Sequence, residues 1–428
     1  MLYHNYHKHD HISNIFSPDT NTKQEEYIQK AIEYGHTAYF TTNHGSFGDI
    51  FEARTLCNKY GLRCIAGIEG YIVPNASEKD KRNYHIVVIP KTDIARKKMN
   101  YVSSMANING FYYKPRFFLN DLLSLDKNDV FITTACVAGL LRDEDSVNKI
   151  FMPLYEHFGN NVMLEVQNHL DPIQIDVNKK AIYYSNQFGL SLIAANDSHY
   201  IDECGKQERL ELLKGKHIDY GSEDSFVLDY PTAETMMKRF KKQGVLSDVQ
   251  IDNAINNTLI FDQCEEIQLD YSIKMPTIYP GLSPNERVDL LKSKVSEKFK
   301  RIIDTDHITE EELPKYKDGI NYEMKIIEAT NDDIHTADYF LFNEKNVDLA
   351  VNKYGGVLTR GGRGSCGSFY INRILGMTQL DRFRINLPLF PDRFASTARL
   401  LENRSLPDID FNVKEQEPFV KASRELLG

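Results

Sequence analysis

The sequence predicts an α/β protein: strand–helix units over about the first 200 residues, then a helical stretch, then a second domain mixing helices and short strands. Three observations predict it. Apolar or β-rich runs alternate with amphipathic helical segments, and about seven such strands can be counted, which implies a parallel sheet or barrel. Residue types that ligate metals recur where those runs begin or end. Pro276, Pro280, Gly281 and Pro284 then punctuate a linker before a new set of elements.

The elements follow in order. Thr22 with Glu25 reads as a capping box opening a helix over 24–34, and Gly35 stops it. A strand over 36–42 leads through a Gly-containing loop to a helix over 49–60, stopped by Gly61. Strands follow over 63–68 and 86–89, separated by a charged, turn-rich loop at 75–83. A helix over 94–106, strands over 130–134 and 162–166, a helix over 173–188 and a strand over 191–195 continue the alternation. Residues 204–265 read as mostly helical, clearest over 232–242 and 248–264. Beyond the linker come helices over 286–303 and 322–330, a strand over 337–342, a helix to Lys353 and a strand over 356–359. A glycine-rich loop, a helix over 367–375 and a terminal amphipathic helix over 417–427 complete the chain. The expected domains are 1–203, a flanking helical segment 204–275, and 276–428.

Composition sets limits. The 428 residues are enough for two or three domains, and 41% apolar content is ample for buried cores. No stretch approaches the ~18–20 apolar residues of a membrane span. Six scattered cysteines without a CxxC pair fit reduced thiols in a cytoplasm. A net charge of −10 argues mildly against nucleic-acid binding. Charge is local, however: between Arg360 and Arg404 eight arginines face only Asp381, Asp392 and Glu402. Such a patch can hold phosphates, because the guanidinium forks onto their oxygens.

The ligand-competent residues are His7 and His9, His44, Glu69, His85, Cys136, Asp197 and His199. Imidazole, carboxylate and thiolate hold borderline transition metals. Two residues apart on a strand, His7 and His9 face the same way, and Asp197 and His199 repeat the spacing. Divalent ions held together activate a water and clamp a phosphate, so phosphoester hydrolysis is the natural chemistry. The motifs His7–Ser13, Thr42-Asn43-His44, Gly67-Ile68-Glu69, Tyr84-His85, Thr134-Ala135-Cys136 and Asn196-Asp197-Ser198-His199 resemble the PHP (polymerase and histidinol phosphatase) domain. The resemblance implies a distorted (β/α)7 barrel with up to three ions, Zn²⁺ or Mn²⁺. It also implies a ninth ligand from the loop after the first strand, Asp19 or alternatively His11. Asn43 departs from the aspartate usual at its position.

A second constellation pairs the Arg360–Ser365 loop with Asp408 and Asp410 in the run Leu406–Phe411. Glycines admit backbone amides close to a phosphate, and carboxylates at i and i+2 of a strand suit two Mg²⁺ ions. With Ala337–Leu341, these motifs resemble the palm of C-family replicative DNA polymerases of bacteria or phages, a nucleotidyltransferase (polymerase beta-like) α+β fold. The resemblance implies that Arg363, Gly364 and Ser365 contact an incoming deoxynucleoside triphosphate and that Asp408 and Asp410 hold Mg²⁺. It implies primer-template DNA and replisome proteins as partners and a 3′–5′ exonuclease in the PHP domain. The family's third catalytic aspartate has no counterpart here. The reading is an N-terminal piece, or the first half of a split gene, which needs a C-terminal polymerase portion to extend a primer. A stand-alone phosphoesterase and a non-catalytic metal-stabilised scaffold are the competing readings.

Overall fold

The computed structural model describes residues 2–48, 50–74, 81–221, 225–359, 363–410 and 412–428. The chain forms two compact units, Met1–Leu269 and Asp270–Gly428.

In the first unit, α1 (Gln24–Glu33) precedes β1 (Ala38–Phe40), α2 (Ile50–Tyr60), β2 (Arg63–Ile65), β3 (Ile68–Val73) and β4 (Tyr84–Pro90). Then come α3 (Asp93–Ile108), β5 (Arg116–Phe118), α4 (Leu119–Leu123), β6 (Val130–Thr133), α5 (Glu144–Ser146) and α6 (Met152–Phe158). β7 (Val162–Gln167), α7 (Pro172–Phe188), β8 (Leu192–Ala195), α8 (Glu203–Gly215), α9 (Ala233–Gln243) and α10 (Asp248–Asn256) complete it. Each cause is local. Thr92 caps α3 and Asp171 caps α7, whose Pro172 occupies a first-turn position where no amide is needed. The α1 box is one residue later than expected: the Lys23 N–H donates to Glu26 at 2.6 Å.

Six strands form one sheet in the order β5-β3-β4-β6-β7-β8, and β1 pairs with β2 in parallel. The sheet is mixed rather than all parallel. β4 runs antiparallel to both β3 and β6. Only residues 74–83 join β3 to β4, fewer than the dozen or more that a parallel crossover needs, and a short return makes antiparallel neighbours. Beyond the strands, Lys8 bridges Ser198 and His44 bridges Glu69, both in parallel. These bridges tie the first segment to the end of β8 and the loop after β1 to the start of β3.

The sheet and the helices around it share one apolar core, in which Ile68, Ile72, Val88, Ile132, Leu164 and Val166 are fully inaccessible. α9 and α10 join it through Met236, Phe240, Ile251 and Ile255. Each such side chain contributes about 1.5–3 kcal/mol. Lys8 is buried on its own: its Nζ donates to Asp10 at 3.1 Å and to Tyr39 Oη at 2.6 Å, and it lies 3.8 Å from the Tyr39 ring centroid.

The second unit contains α11 (Pro284–Thr305), α12 (Leu313–Ile334), α13 (Thr336–Asn352), α14 (Tyr370–Ile374), α15 (Thr397–Asn403) and α16 (Glu417–Leu427). A Ser283–Glu286 capping box starts α11. The strand expected over 337–342 is helix α13. Its buried positions Ala337, Phe340, Leu341, Glu344 and Val347 recur every three or four residues, a helical period. The expected palm is thus mainly helical among the described residues. Strand pairing is confined to 357–359 against 412–414, where Leu358 bridges Val413 and the Thr359 N–H donates to Asn412 O. No helix among the described residues is long and apolar enough to cross a membrane.

Candidate metal centre

The strand ends bring nine sequence-predicted residues together: His7, His9, Asp19, His44, Glu69, His85, Cys136, Asp197 and His199. Backbone geometry aims two of them. Ala135, just before Cys136, and Asp197 itself hold left-handed φ values of 55° and 53°. Non-glycine residues in that region cost on the order of 1 kcal/mol or more each, and such strain collects at functional sites.

Two kinds of short contact can be told apart. One kind is hydrogen bonds that fix the imidazoles. His7 Nδ1–H donates to Glu165 Oε1 at 2.7 Å, and His199 Nδ1–H donates to the Asp197 carbonyl at 2.8 Å. The Ser13 hydroxyl donates to Asn43 Oδ1, so its oxygen accepts from His9 Nδ1–H at 3.0 Å and from the His44 N–H at 3.1 Å. All three imidazoles therefore turn Nε2 inward, the usual way in which outer partners orient a metal ligand.

The other kind lacks hydrogen-bonding orientation. His7 Nε2 lies 3.3 Å from Glu69 Oε1 and 3.4 Å from Asp197 Oδ1. His9 Nε2 lies 3.0 Å from Asp197 Oδ1 and 3.5 Å from Glu69 Oε2. Asp19 Oδ2 lies 3.6 Å from His44 Nε2 and 3.4 Å from His199 Nε2. Cys136 Sγ differs in that its 3.5 Å contact with His85 Nδ1 has hydrogen-bonding geometry. Bonds of about 2.0–2.2 Å to one tetrahedral ion would set its nitrogen and oxygen ligands roughly 3.3–3.6 Å apart. Nearly all these gaps have that size.

His7 Nε2, His9 Nε2, both His44 nitrogens, Asp19 Oδ1, Glu69 Oε2 and Asp197 Oδ1 are buried without a hydrogen-bond partner among the described residues. Buried polar atoms are rarely left so, because each costs about 1–3 kcal/mol. The donor set fits divalent ions. The groups His7–His9–Glu69, His9–His44–His199 and His44–Glu69–His85 could each hold one, with Glu69 shared between two of them. Asp19 faces the centre, whereas among the described residues the acid paired with His11 Nδ1 is Asp10, 3.9 Å away.

The electrostatics agree with a cage that holds positive charge. Burial raises the Glu69 carboxyl, but His85, His44 and His9 outweigh it and hold it well below its ordinary value. Asp19 and Asp197 are lowered for the same reason, chiefly by His199 and by His7 respectively. Burial depresses His44, yet Glu69 and Asp19 lift it to about 9. His9 falls to about 3, first by burial and then by His44 and His199. Burial, with Asp197 and Glu69, pushes the Cys136 thiol up.

Sequence reasoning missed Glu165. It accepts from His7, from Tyr6 Oη at 2.8 Å, from Thr133 Oγ1 at 2.7 Å and from Gln167 Nε2 at 2.8 Å. A lone carboxylate inside the buried strand Val-Met-Leu-Glu-Val-Gln was the available signal. Asn43 keeps an acceptor where an aspartate was expected: Oδ1 takes the Asp10 N–H and the Ser13 hydroxyl.

In the second unit, Gly364 (φ +65°) lies against Asp410, and a Cβ there would fall 2.2 Å from Asp410 Oδ2. The Tyr339 hydroxyl donates to the Pro407 carbonyl, anchoring the acidic run. Asp408, Asp410 and Arg363 are exposed and Ile409 is half-buried against the core. Arg360, Gly361, Gly362 and Phe411 lie outside the described residues. The arginine patch is smaller than expected. Arg382 pairs with buried Glu323 at 2.9 Å, Arg384 with Glu312 at 2.9 Å, and Arg373 with Asp306. Those acids lie outside the window over which the sequence was counted.

Residues 7–169 match the PHP domain, and residues 289–424 match the bacterial DNA polymerase III alpha NTPase domain. The DNA polymerase III subunit alpha of Borreliella burgdorferi is 26% identical over 443 residues, covering 96% of this chain. That of Aquifex aeolicus is 26% identical over 457 residues, covering 98%. The chain spans only 36% and 37% of the length of these relatives. Among solved structures, an amidohydrolase from Chromobacterium violaceum is similar at 13% identity and a TM-score of 0.31, over 46% of this chain and 88% of that one. Over these two stretches the chain is thus similar first to the PHP domain and then to the bacterial DNA polymerase III alpha NTPase domain.

Proposed function

We propose that this chain is the N-terminal part of a DNA polymerase III alpha-type replicative polymerase whose PHP centre is a metal-dependent 3′–5′ exonuclease. One observation carries the reading: inward-facing imidazole, carboxylate and thiol groups from distant positions lie at the spacing of ligands in shared coordination shells. His7, His9, Asp19, His44, Glu69, His85, Cys136, Asp197 and His199 are the ligands, for Zn²⁺ or Mn²⁺. Bound ions supply an activated water and a clamp on the scissile phosphate. The protein's part is to orient the imidazoles, through Glu165, Ser13 and the Asp197 carbonyl.

In the second unit, Arg363, Gly364 and Ser365 meet the triphosphate of a deoxynucleotide, and Asp408 and Asp410 hold Mg²⁺. The contact of Gly364 with Asp410 supports one shared site. Primer-template DNA and replisome proteins are the partners, and primer extension needs further polymerase residues. The free state of all six cysteines suits a reducing cytoplasm.

The test uses this chain, Mn²⁺ and a primer-template with a mismatched 3′ end. Shortening that disappears in His9→Ala/Asp197→Ala is expected. No shortening with metal shown bound rejects the exonuclease. The second reading, a metal-stabilised scaffold, is favoured by the full burial of His7, His9 and Glu69; it predicts metal-dependent stability without cleavage.

A further inference from the structure

A loop beside the metal centre holds a cation and an aromatic display that the coordination of ions does not use. Gly45, directly after His44, packs against Pro115 and Tyr71: a Cβ on it would fall 2.9 Å from Pro115 Cγ and 3.1 Å from Tyr71 Cε2. This seats the 110–116 loop against the His44 corner. The loop is held in shape. Arg116 Nε donates to the Gly110 carbonyl at 2.9 Å, and the Tyr112 N–H donates to Lys114 O at 3.1 Å. Tyr113, at the tip, is forced into a left-handed φ of 62°. Strain of this kind persists only where surrounding structure enforces it.

Lys114 Nζ lies 4.2 Å from the centroid of the Tyr71 ring. That ring stacks on His44 at 6.0 Å and meets His85 edge-on at 5.2 Å. Lys114 is half-buried, and among the described residues no carboxylate lies within ion-pair distance of it. Burial lowers its ammonium, opposed by the charges of Glu69, Asp19 and Cys136. The Tyr71 hydroxyl is fully buried and has no hydrogen-bond partner among the described residues. A cation and a hydroxyl donor thus stand side by side at the rim of the ligand cluster.

The outer side of the same loop is aromatic. Phe111 and Tyr113 present their rings to solvent, 55% and 65% exposed. Lys81 Nζ lies 4.2 Å from the Tyr113 ring centroid. Exposed rings interleaved with cations are what single strands use, since every base has a face to stack and every link a phosphate.

We propose that Lys114 and the Tyr71 hydroxyl form the phosphate-binding subsite of the metal centre, and that Phe111 and Tyr113 stack the bases of a single-stranded nucleic-acid substrate leading into it. This deepens the exonuclease reading and rests on it for the chemistry, not for the binding.

The test measures binding by fluorescence anisotropy, with the full chain loaded with Mn²⁺ and a labelled phosphorothioate dT12 oligonucleotide. Lys114→Ala should weaken binding and reduce the slope of log affinity against log salt by about one. The Phe111→Ala/Tyr113→Ala pair should weaken it about 5- to 100-fold with the salt slope kept. Lys114→Arg should retain most of the affinity, and Lys238→Ala, on the exposed face of α9, should match the parent. Metal content by elemental analysis should be equal in all of them, which separates a lost contact from a collapsed site.

No oligonucleotide binding by the parent, or parental binding by a metal-replete Lys114→Ala, overturns the proposal. A loss in Lys114→Ala with none in the aromatic pair overturns the nucleic-acid assignment and points to a small phosphate ester. If binding behaves as stated but no primer is shortened, the subsite stands and the exonuclease reading falls. If primers are shortened with unchanged KM in Lys114→Ala, the reverse holds.

Discussion

Glu165, in the buried strand β7, holds His7 by a single 2.7 Å hydrogen bond. Three further donors, from Tyr6, Thr133 and Gln167, saturate the carboxylate and leave it one fixed orientation. The His7 ring inherits that orientation. Glu165→Gln should keep the fold and weaken metal affinity about 10–100-fold, read by competition titration against a chromogenic chelator. Unchanged affinity would remove Glu165 from the centre's support.

Cys136→Ser should lower the metal content. A hydroxyl is a far poorer ligand for a borderline ion than a thiolate, which a bound ion would have to create against the upward push of burial on this thiol. Elemental analysis checks it, and an unaltered stoichiometry would show that the sulfur is not a ligand.

Metal binding should strengthen with pH. Without metal, the lifted His44 contributes stability that is complete below the ordinary imidazole value of about 6.5. That contribution is lost as pH rises through about 9. The lowered Asp19 and Glu69 contribute stability present above the ordinary carboxylate range and lost as pH falls. An incoming ion must displace the protons held on the raised His7 and His44 but none from His9, already neutral with its value near 3. The rise in Tm caused by Mn²⁺ should therefore grow between pH 6 and 9. A pH-independent rise would contradict the assignment of His44.

Gly364→Ala should disturb the second unit beyond the usual cost of an exposed glycine substitution. The left-handed backbone costs about 1–2 kcal/mol, and the new methyl must displace the Asp410 carboxylate. Weaker deoxynucleotide binding, with α11 to α13 still protected from hydrogen exchange, is the expected result.

Glu323→Ala should be the more damaging change there. The buried Glu323 carboxylate accepts from the Tyr370 and Ile371 N–H groups, each at 2.8 Å, and pairs with Arg382. Removing one partner of such a buried pair costs about 3–5 kcal/mol. Burial raises the Glu323 carboxyl to about 7 against the pull of Arg382, so its folded form takes up a proton that the unfolded chain has lost. Stability of this unit should fall as pH rises from about 4.5 to 7, and Glu323→Gln should flatten that slope.

Most of the proposed metal ligands were legible because they lie beside apolar or β-rich runs, where the alternation of strands and helices already fixed direction; Asp19 was not, since spacing left it level with His11. Helices α7 and α16 were legible from period and caps. The buried supports were not. Glu165 stands out as a lone carboxylate in an apolar strand, but its role shows only when Tyr6, Thr133 and His7 are seen to surround it. The 337–342 segment misled because Tyr339, Phe340 and Phe342 are strand formers locally, while burial at intervals of three and four set a helix. The arginine patch misled because Glu323, Glu312 and Asp306 are remote in sequence and adjacent in space.

Lys8 has a consequence for how the chain finds this arrangement. It separates His7 from His9 and points the other way, into a dry pocket with Asp10 and Tyr39. A slip of the first segment by one residue would thrust an ammonium among the imidazoles and strand Asp10 without its counterion. The buried cation therefore weighs against misthreading: the alignment that gives Lys8 its partners is also the one that brings both imidazoles to the same side.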